Sequence, residues 1–576
     1  MRLLFVHSLP RLRRAAVRIV DARGRALGLV LVTLLLAGVA GGGLVIWQYD
    51  TGSAQQPGAD AGAQQRQREA LDDAAERRAQ AAGRRDGEPG AGAPGERRGD
   101  EPPTAPGLED GRPNILFISS DDQTDLEMRW MPKTRRLLGR HGIDFTDAIN
   151  PHPLCCPARA EILTGEYAQN NGVRHNDGPF GGFSAFKRHN LDDNLGVWLQ
   201  QAGYRTGFIG KPLNGYVEHR ARPEGWDRWN PTLLRSYGYT DVDYELPVGD
   251  KVLPGYVTDT NTALAQRMVQ RWSVKRRPFF IWISQVGPHD AYVDGRGWGP
   301  PVPADRHADL FANLKLPSRH DPGLTEDVSD KPLSVRRAPQ HDLAERTEWF
   351  RQRVRSLQAI DESNARMVRA LARAGVLDRT LVIYTSDNGY ELGQHGLWGK
   401  NLPYAENLQI PLLMRGPGIA EGATSLLPAT TVDLAPTFLD AAGALDDVRA
   451  SGRTDGESLL RMLTGSAETS STQLIQAGTA DERALDAMGW AWRGVRTPRY
   501  TWLVRWTGVE ELYDHRLDPH ELHNLIRPDG SLRKPAYVPV RDELRARYER
   551  LAACHGVAAC ERQPFGPDPL PVAGRG

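Results

Sequence analysis

Asn114-Ile115-Leu116-Phe117-Ile118-Ser119-Ser120-Asp121-Asp122 is the stretch whose reading decides the fold. Its apolar residues run on without helical spacing and stop at two carboxylates. Such a run, bounded by polar residues, suits a strand buried on both faces, as in parallel sheets covered by helices. Three further runs repeat the pattern. Thr206–Ile209 leads into Gly210-Lys211, Phe279–Ile283 leads through Ser284–Pro288 to His289, and Leu381–Thr385 leads into Ser386-Asp387-Asn388-Gly389. Helical stretches precede two of them, Leu191–Gln201 before Gly203 and Asp342–Ala374 before Gly375, each glycine placed as a C-cap. Strand and helix in alternation predict an α/β fold with a large, mostly parallel central sheet flanked by helices. Ligands of such sheets bind beyond the carboxyl ends of the strands. Here those ends carry two Asp, a Lys, a His and an Asp-Asn pair.

Outward from this centre the texture changes twice. Beyond about residue 480, Tyr500–Trp506 alternates, Gly508 turns and Glu511–Tyr513 returns, the pattern of an antiparallel hairpin. Asp518-Pro519-His520-Glu521 has the composition of a helix start, and Val540–Ala553 that of a closing amphipathic helix. A smaller C-terminal α+β domain with antiparallel strands is expected over 480–565, then a tail, 566–576. On the other side, residues 48–110 form a linker; from 51 onward its large aliphatics are Leu71 and Leu108 and it has no aromatic, so it cannot offset its ordering entropy by burial and is expected to be disordered. The folded catalytic part is expected over 111–479.

Residues 1–25 carry seven arginines against one acid, and Ala26–Trp47 is uncharged over 22 residues. As a helix that run would reach about 33 Å, against a hydrocarbon core of about 30 Å. Arginines before it and Asp50 after it would leave the N-terminus in the cytoplasm. A single-pass signal anchor at the cell membrane, with the catalytic part extracytoplasmic, is the first expectation; a cleaved signal peptide releasing a secreted protein is the second.

Composition limits the function. Lys+Arg and Asp+Glu balance at 72 each, which offers no electrostatic footprint for nucleic acid. Four cysteines in 576 residues exclude a disulfide-stapled scaffold. Cys554 and Cys560, six apart in an exported domain, are expected to form a small disulfide, with two free thiols as the alternative.

Asp121, Asp122, Asp387 and Asn388 offer three carboxylates and an amide oxygen, a hard set that selects Ca²⁺ or Mg²⁺ over zinc or copper. A helix cap at 121–122 and a plain turn at 387–389 are the competing readings. In Pro151-His-Pro-Leu-Cys155-Cys156-Pro157-Ala158-Arg159-Ala160-Glu161-Ile-Leu163-Thr164-Gly165, Pro157 suits the first turn of a helix. Cys155 then stands just before an N-terminus that favours an anion, within reach of Arg159; two buried structural cysteines, or a vicinal disulfide, are the competing reading.

Cys155-x-Pro157-x-Arg159 followed by Ala160-x-Ile162-Leu163-Thr164-Gly165 resembles the signature of type I sulfatases, members of the alkaline-phosphatase superfamily. Gly203–Lys211, Gly287-Pro-His289, Thr385–Gly389, Gly393–Lys400 and Glu511–Asn524 extend the resemblance, and Gly210–Tyr216 looks most like N-acetylglucosamine-6-sulfatases. The resemblance implies that a formylglycine-generating enzyme oxidises Cys155 to formylglycine (3-oxoalanine). Its hydrate would attack sulfur with one hydroxyl and expel sulfate with the other. It further implies metal ligation by Asp121, Asp122, Asp387, Asn388 and the modified Cys155. Arg159 would fix the hydroxyl, Lys211 the sulfate, and Asp387 would act as base. His289 or Lys400 would protonate the leaving alcohol, and Lys211, His289 and Lys400 would contact substrate. His395 is open between a direct role and a surface one. The chain departs from the family pattern at Ala158, where serine is usual, and at Leu213, where many members have histidine. The expected reaction is hydrolysis of a sulfate monoester, of a small molecule or carbohydrate. A formylglycine-dependent phosphonate monoester or phosphodiester hydrolase is the alternative, and an inactive membrane-tethered binding protein the third reading.

Overall fold

Alternate residues of one strand feed two different cores. In a computed structural model of the chain, Asn114–Ser120 (β1) is buried along its length, with Ile115 and Phe117 in the core on one face of a sheet and Leu116 and Ile118 in the core on the other. Neighbouring side chains of a strand point to opposite faces, so a strand covered on both sides must be apolar at every position. The structure describes residues 17–20 and 26–30 and, from 111 to 571, all but 234–236, 294–296, 340, 468–469, 482, 484–486 and 563–564.

Eight strands make the central sheet: β1, Ile143–Phe145 (β2), Arg205–Gly210 (β3), Arg228–Pro231 (β4), Phe279–Ser284 (β5), Thr380–Ser386 (β6), Leu412–Arg415 (β7) and Ala423–Ser425 (β8). Their order is β8-β2-β7-β6-β1-β5-β3-β4. The block β6-β1-β5-β3-β4 is parallel throughout, and β7 runs antiparallel to both its neighbours. The register aligns Ser386 with Ser120, Ser119 with Ser284 and Ser284 with Gly210. The polar residues that follow these strands therefore leave the sheet along one edge. The expected mostly parallel α/β sheet is present.

One face is covered by Cys155–Thr164 (α1), Leu195–Gln201 (α2) and Leu434–Ala441 (α5), the other by Val257–Trp272 (α3) and Leu343–Arg373 (α4). Asp342 caps α4 by accepting from the Glu345 N–H, and Gly375 follows at a positive φ of 65°, as its sequence predicts. α2 starts later than expected, at Leu195, because the Asn194 side chain accepts the Gly196 N–H and caps the helix there.

Gln473–Gly478 (β9), Trp490–Arg496 (β10), Tyr500–Arg505 (β11) and Glu510–Asp514 (β12) form a second sheet, antiparallel in chain order. It opens at Gln473, ahead of the boundary at 480. Val538–Ala552 (α6) covers it, with Val540, Leu544 and Leu551 against Val495, Trp502 and Leu512. The helix expected to start at Asp518 is absent. Residues 518–521 make turns instead: the Asp518 carboxylate accepts the Leu522 and His523 N–H groups, and Glu521, at φ +52°, is drawn inward to His515 and the Ala405 N–H. Within the expected tail, Gly566 and Pro567 accept from Arg547.

Cys554 and Cys560 are disulfide-bonded at the end of α6. Closing so short a loop restricts the unfolded chain by about 2 kcal/mol. The Cys554→Ser/Cys560→Ser variant is expected to lose that much stability in urea titration, with the far-ultraviolet circular dichroism of the native protein unchanged.

The N-terminal unit is separate. There Ala26–Val30 is extended and pairs antiparallel with Val17–Val20, so the first residues of the expected 26–47 helix are strand. Short runs rich in Val, Leu and Ile adopt either state, and local pairing decided it. Residues 31–47 of the expected anchor and the 48–110 linker lie outside the described residues. Among the described residues no helix is long and apolar enough to cross a membrane.

Candidate active site

Four adjacent parallel strands deliver the charged residues. β1 ends in Asp121 and Asp122, β6 in Asp387 and Asn388, β3 in Lys211, and β5 continues through Ser284 to His289. Asp122 takes a left-handed backbone, φ +68°, which aspartate tolerates better than most residues. Its N–H donates to Asp387 Oδ1 at 3.1 Å, and its carbonyl accepts from Arg353. Arg353 is itself buried and doubly bonded to Glu127, Nε to Oε1 and Nη2 to Oε2, both at 2.8 Å.

Cys155 is the first residue of α1, not the residue before it, and Leu154 is the extended N-cap. All ten residues of this helix are buried. The Cys155 Sγ lies 3.4 Å from Asp121 Oδ1, 3.9 Å from Asp122 Oδ1 and 3.0 Å from Lys400 Nζ. Lys400 also donates to both Asp122 oxygens, at 2.6 and 2.7 Å, and Lys211 pairs with Asp121. Arg159 donates through Nε to Asp387 Oδ2 at 3.0 Å, with Nη2 2.9 Å from the same oxygen, through Nη2 to Asp121 Oδ2 at 3.2 Å, and through Nη1 to the Lys211 carbonyl at 2.6 Å and to Ser284 Oγ.

Asp121, Asp122, Cys155 and His289 form a buried group whose potential ligand atoms all lie within 4.8 Å of one another. Asn388 borders it, donating from Nδ2 to Asp122 Oδ1 at 2.8 Å. Its Oδ1 is buried and has no hydrogen-bond partner. A buried oxygen without a donor is costly. Beside two carboxylates it fits a hard divalent cation.

The sulfatase family model matches residues 113–444, and the model of the N-sulphoglucosamine sulphohydrolase C-terminal region matches 393–553. The chain belongs to the sulfatase family. It is a type I sulfatase of the alkaline-phosphatase superfamily, a sulfuric ester hydrolase. It is 33% identical to an arylsulfatase of Volvox carteri, over 77% of this chain and 75% of the relative. To the N-acetylglucosamine-6-sulfatase of Capra hircus it is 28% identical, over 72% of this chain and 80% of the relative. Among solved structures it is similar to BT4656 in complex with its substrate D-glucosamine-2-N,6-O-disulfate, with a TM-score of 0.62 and 25% identity, over 76% of this chain and 97% of that one.

Charge in the sulfatase's cluster is finely balanced. Burial alone would raise the Asp121 and Asp122 carboxyls, yet the cations around them hold both below the usual carboxylate range, Lys211 leading for Asp121 and Lys400 for Asp122. Asp387 goes the other way, pushed up to about 6 by burial and by Asp121. Burial, then Asp121, pushes the Cys155 thiol up. Burial, then Lys211 and Lys400, lowers His289 to about 3. His289 Nδ1 lies 2.6 Å from the Asp290 carbonyl, so it carries the ring proton and the bare Nε2 faces Asp122 at 3.8 Å.

The cluster brings together every residue the sequence nominated, with two changes of neighbour. Arg159, expected on the nucleophile, makes its hydrogen bonds to Asp387, Asp121, Lys211 and Ser284. Asp387, expected as base, is held by Arg159 and the Asp122 N–H. His395 pairs with Glu326 at 3.1 Å, outside the cluster, and Leu213 is a core residue. Sequence reasoning missed Ser284, Glu127 and Arg353. Ser284 ends a strand, a signal that was available; Glu127 and Arg353 are 226 residues apart and nothing local pairs them.

Proposed function

We propose that this chain hydrolyses sulfate monoesters of carbohydrates, of the 6-O-sulfated glucosamine type, through formylglycine made from Cys155 and a divalent cation, Ca²⁺ or Mg²⁺. One observation carries the reading: a buried, neutral cysteine at a helix N-terminus, its sulfur 3.0 Å from Lys400 and 3.4 Å from Asp121. A thiol kept from ionising is a poor nucleophile. The hydrated aldehyde at this position would supply one hydroxyl to attack sulfur and a second to expel sulfate. The cation, held by Asp121, Asp122, Asn388 and Asp387, would neutralise charge on the ester and orient it.

The chain's own residues do the rest. Arg159 fixes Asp121 and Asp387 relative to each other, and Lys211 fixes Asp121 from the other side. Lys400, with Nζ 3.0 Å from the residue 155 sulfur and 2.6 Å from Asp122, or His289, with Nε2 3.8 Å from Asp122, is placed to protonate the departing alcohol. Three carboxylates against Arg159, Lys211 and Lys400 sum to zero. A divalent cation then makes the pocket +2, suited to the charge that develops on the leaving oxygen. The glucosamine assignment is supported by the similarity to BT4656 with its disulfated substrate and to the N-acetylglucosamine-6-sulfatase. The arginine-rich start and the uncharged 26–47 run support export, with the catalytic part outside the cytoplasm, tethered or released by cleavage, where a formylglycine-generating enzyme of the host modifies it.

Mass spectrometry of the peptide containing Cys155 from active protein, with a panel of sulfated sugars, tests the proposal. A carbonyl at residue 155 and sulfate release from a 6-sulfated glucosamine are expected. A free thiol at 155 in active protein, or activity on aryl phosphodiesters with none on sulfates, would overturn it. Chelation is expected to lower turnover by roughly 10²-fold or more, with recovery on adding Ca²⁺ or Mg²⁺. Residue 155 should remain a carbonyl throughout that cycle.

A further inference from the structure

A line of aromatic rings leads from the charged cluster towards solvent. The Tyr237 ring lies parallel to His289, centroids 4.8 Å apart and planes at 16°, and Lys211 Nζ is 4.9 Å from the Tyr237 centroid. Trp298 follows, 5.2 Å from Tyr237 and 5.7 Å from His289. Tyr292 meets Trp298 edge-on at 5.3 Å, the two being directly paired across the hairpin Ala291–Val293/Gly297–Gly299. The line of rings therefore starts at His289, 3.8 Å from a cation-ligand carboxylate, and ends at an indole that is 48% exposed.

This indole is braced but uncovered. Tyr237 and Tyr292 pack against it, Gly297 and Gly299 flank it, and a Cβ added at Gly299 would meet nothing within 4 Å. Lys211 stands at the inner end of this line of rings. A pyranose ring presents C–H groups polarised by adjacent oxygens, and these are attracted to the negative face of an indole. An extended alcohol with no ring gains little from the same surface.

We propose that Trp298, supported by Tyr292 and Tyr237, is the platform on which the sugar ring of the substrate stacks while its sulfate occupies the charged cluster. The inference rests on the carbohydrate reading above and adds the residue that recognises the ring. Trp298 touches none of the reacting groups; it acts on binding of the leaving-group side of the substrate.

The test is steady-state kinetics of the full chain and its Trp298→Ala and Trp298→Phe variants on glucosamine 6-sulfate, with inorganic sulfate as a competitive inhibitor. Sulfate fills only the charged cluster and reports on its integrity. Trp298→Ala is expected to raise KM for the sugar sulfate about tenfold, with kcat and the inhibition constant of sulfate within about twofold, and Trp298→Phe to recover most of the loss. An unchanged KM, or equal weakening of sugar and sulfate, would overturn the platform. Wild-type protein that releases sulfate from an aryl ester but from no sulfated sugar would also overturn it, while leaving the sulfatase chemistry intact.

Discussion

Cys155→Ser is expected to reduce steady-state turnover of every sulfate ester by roughly 10³-fold or more, with little change in thermal stability. The substitution exchanges one small buried polar group for another, and the hydroxyl can take up the contacts with Lys400 and Asp121 that the thiol makes. What it cannot supply is the second hydroxyl. A serine ester of sulfate would form once and then have no neighbouring oxygen to expel the sulfate. Rapid-quench measurement should show at most one equivalent of alcohol released by Cys155→Ser and none by Cys155→Ala. Continued turnover by the serine variant near the wild-type rate would show that residue 155 does not work through an aldehyde hydrate.

Arg353→Met should produce the largest loss of stability, about 3–5 kcal/mol by urea titration. The reason is what remains behind. Arg353 and Glu127 are both fully buried, and removing the guanidinium leaves the buried Glu127 carboxylate without its paired donors. The same guanidinium donates to the Asp122 carbonyl and lies 4.3 Å from the Tyr390 ring centroid, so activity is expected to fall as well. The double variant Glu127→Gln/Arg353→Met should regain much of the stability, because no unpaired charge is left. It should not regain full activity, because the Asp122 backbone stays untethered. Full recovery of both would assign Arg353 to stability alone.

These two positions mark how far the sequence could be read. Cys155 was legible because the signature it resembles is local: Cys, Pro and Arg at fixed spacing, followed by a helix whose first turn tolerates proline and whose end accepts Gly165 at φ +65°. Arg353 was not, since an arginine in a long amphipathic helix looks like a surface residue until Glu127 is placed opposite it. Asp518-Pro519-His520-Glu521 shows the reverse failure. Its residues satisfy the local rules for a helix start, and contacts with His515 and Ala405, invisible in the local string, draw Glu521 into a turn instead.

By itself the sequence determined the four central strands that carry the site, β1, β3, β5 and β6, that their ends are polar, where α4 begins and stops, and which cysteine sits at a helix N-terminus. Each of these follows from neighbours along the chain, through side-chain periodicity, capping and the backbone limits of proline and glycine. The tertiary structure alone decided that β6, β1, β5 and β3 lie side by side, that Lys400 reaches across 245 residues to Cys155, and that the Trp298 ring lies 5.7 Å from His289. Those meetings depend on strand order, register and packing of two cores, and no short stretch of residues carries that information.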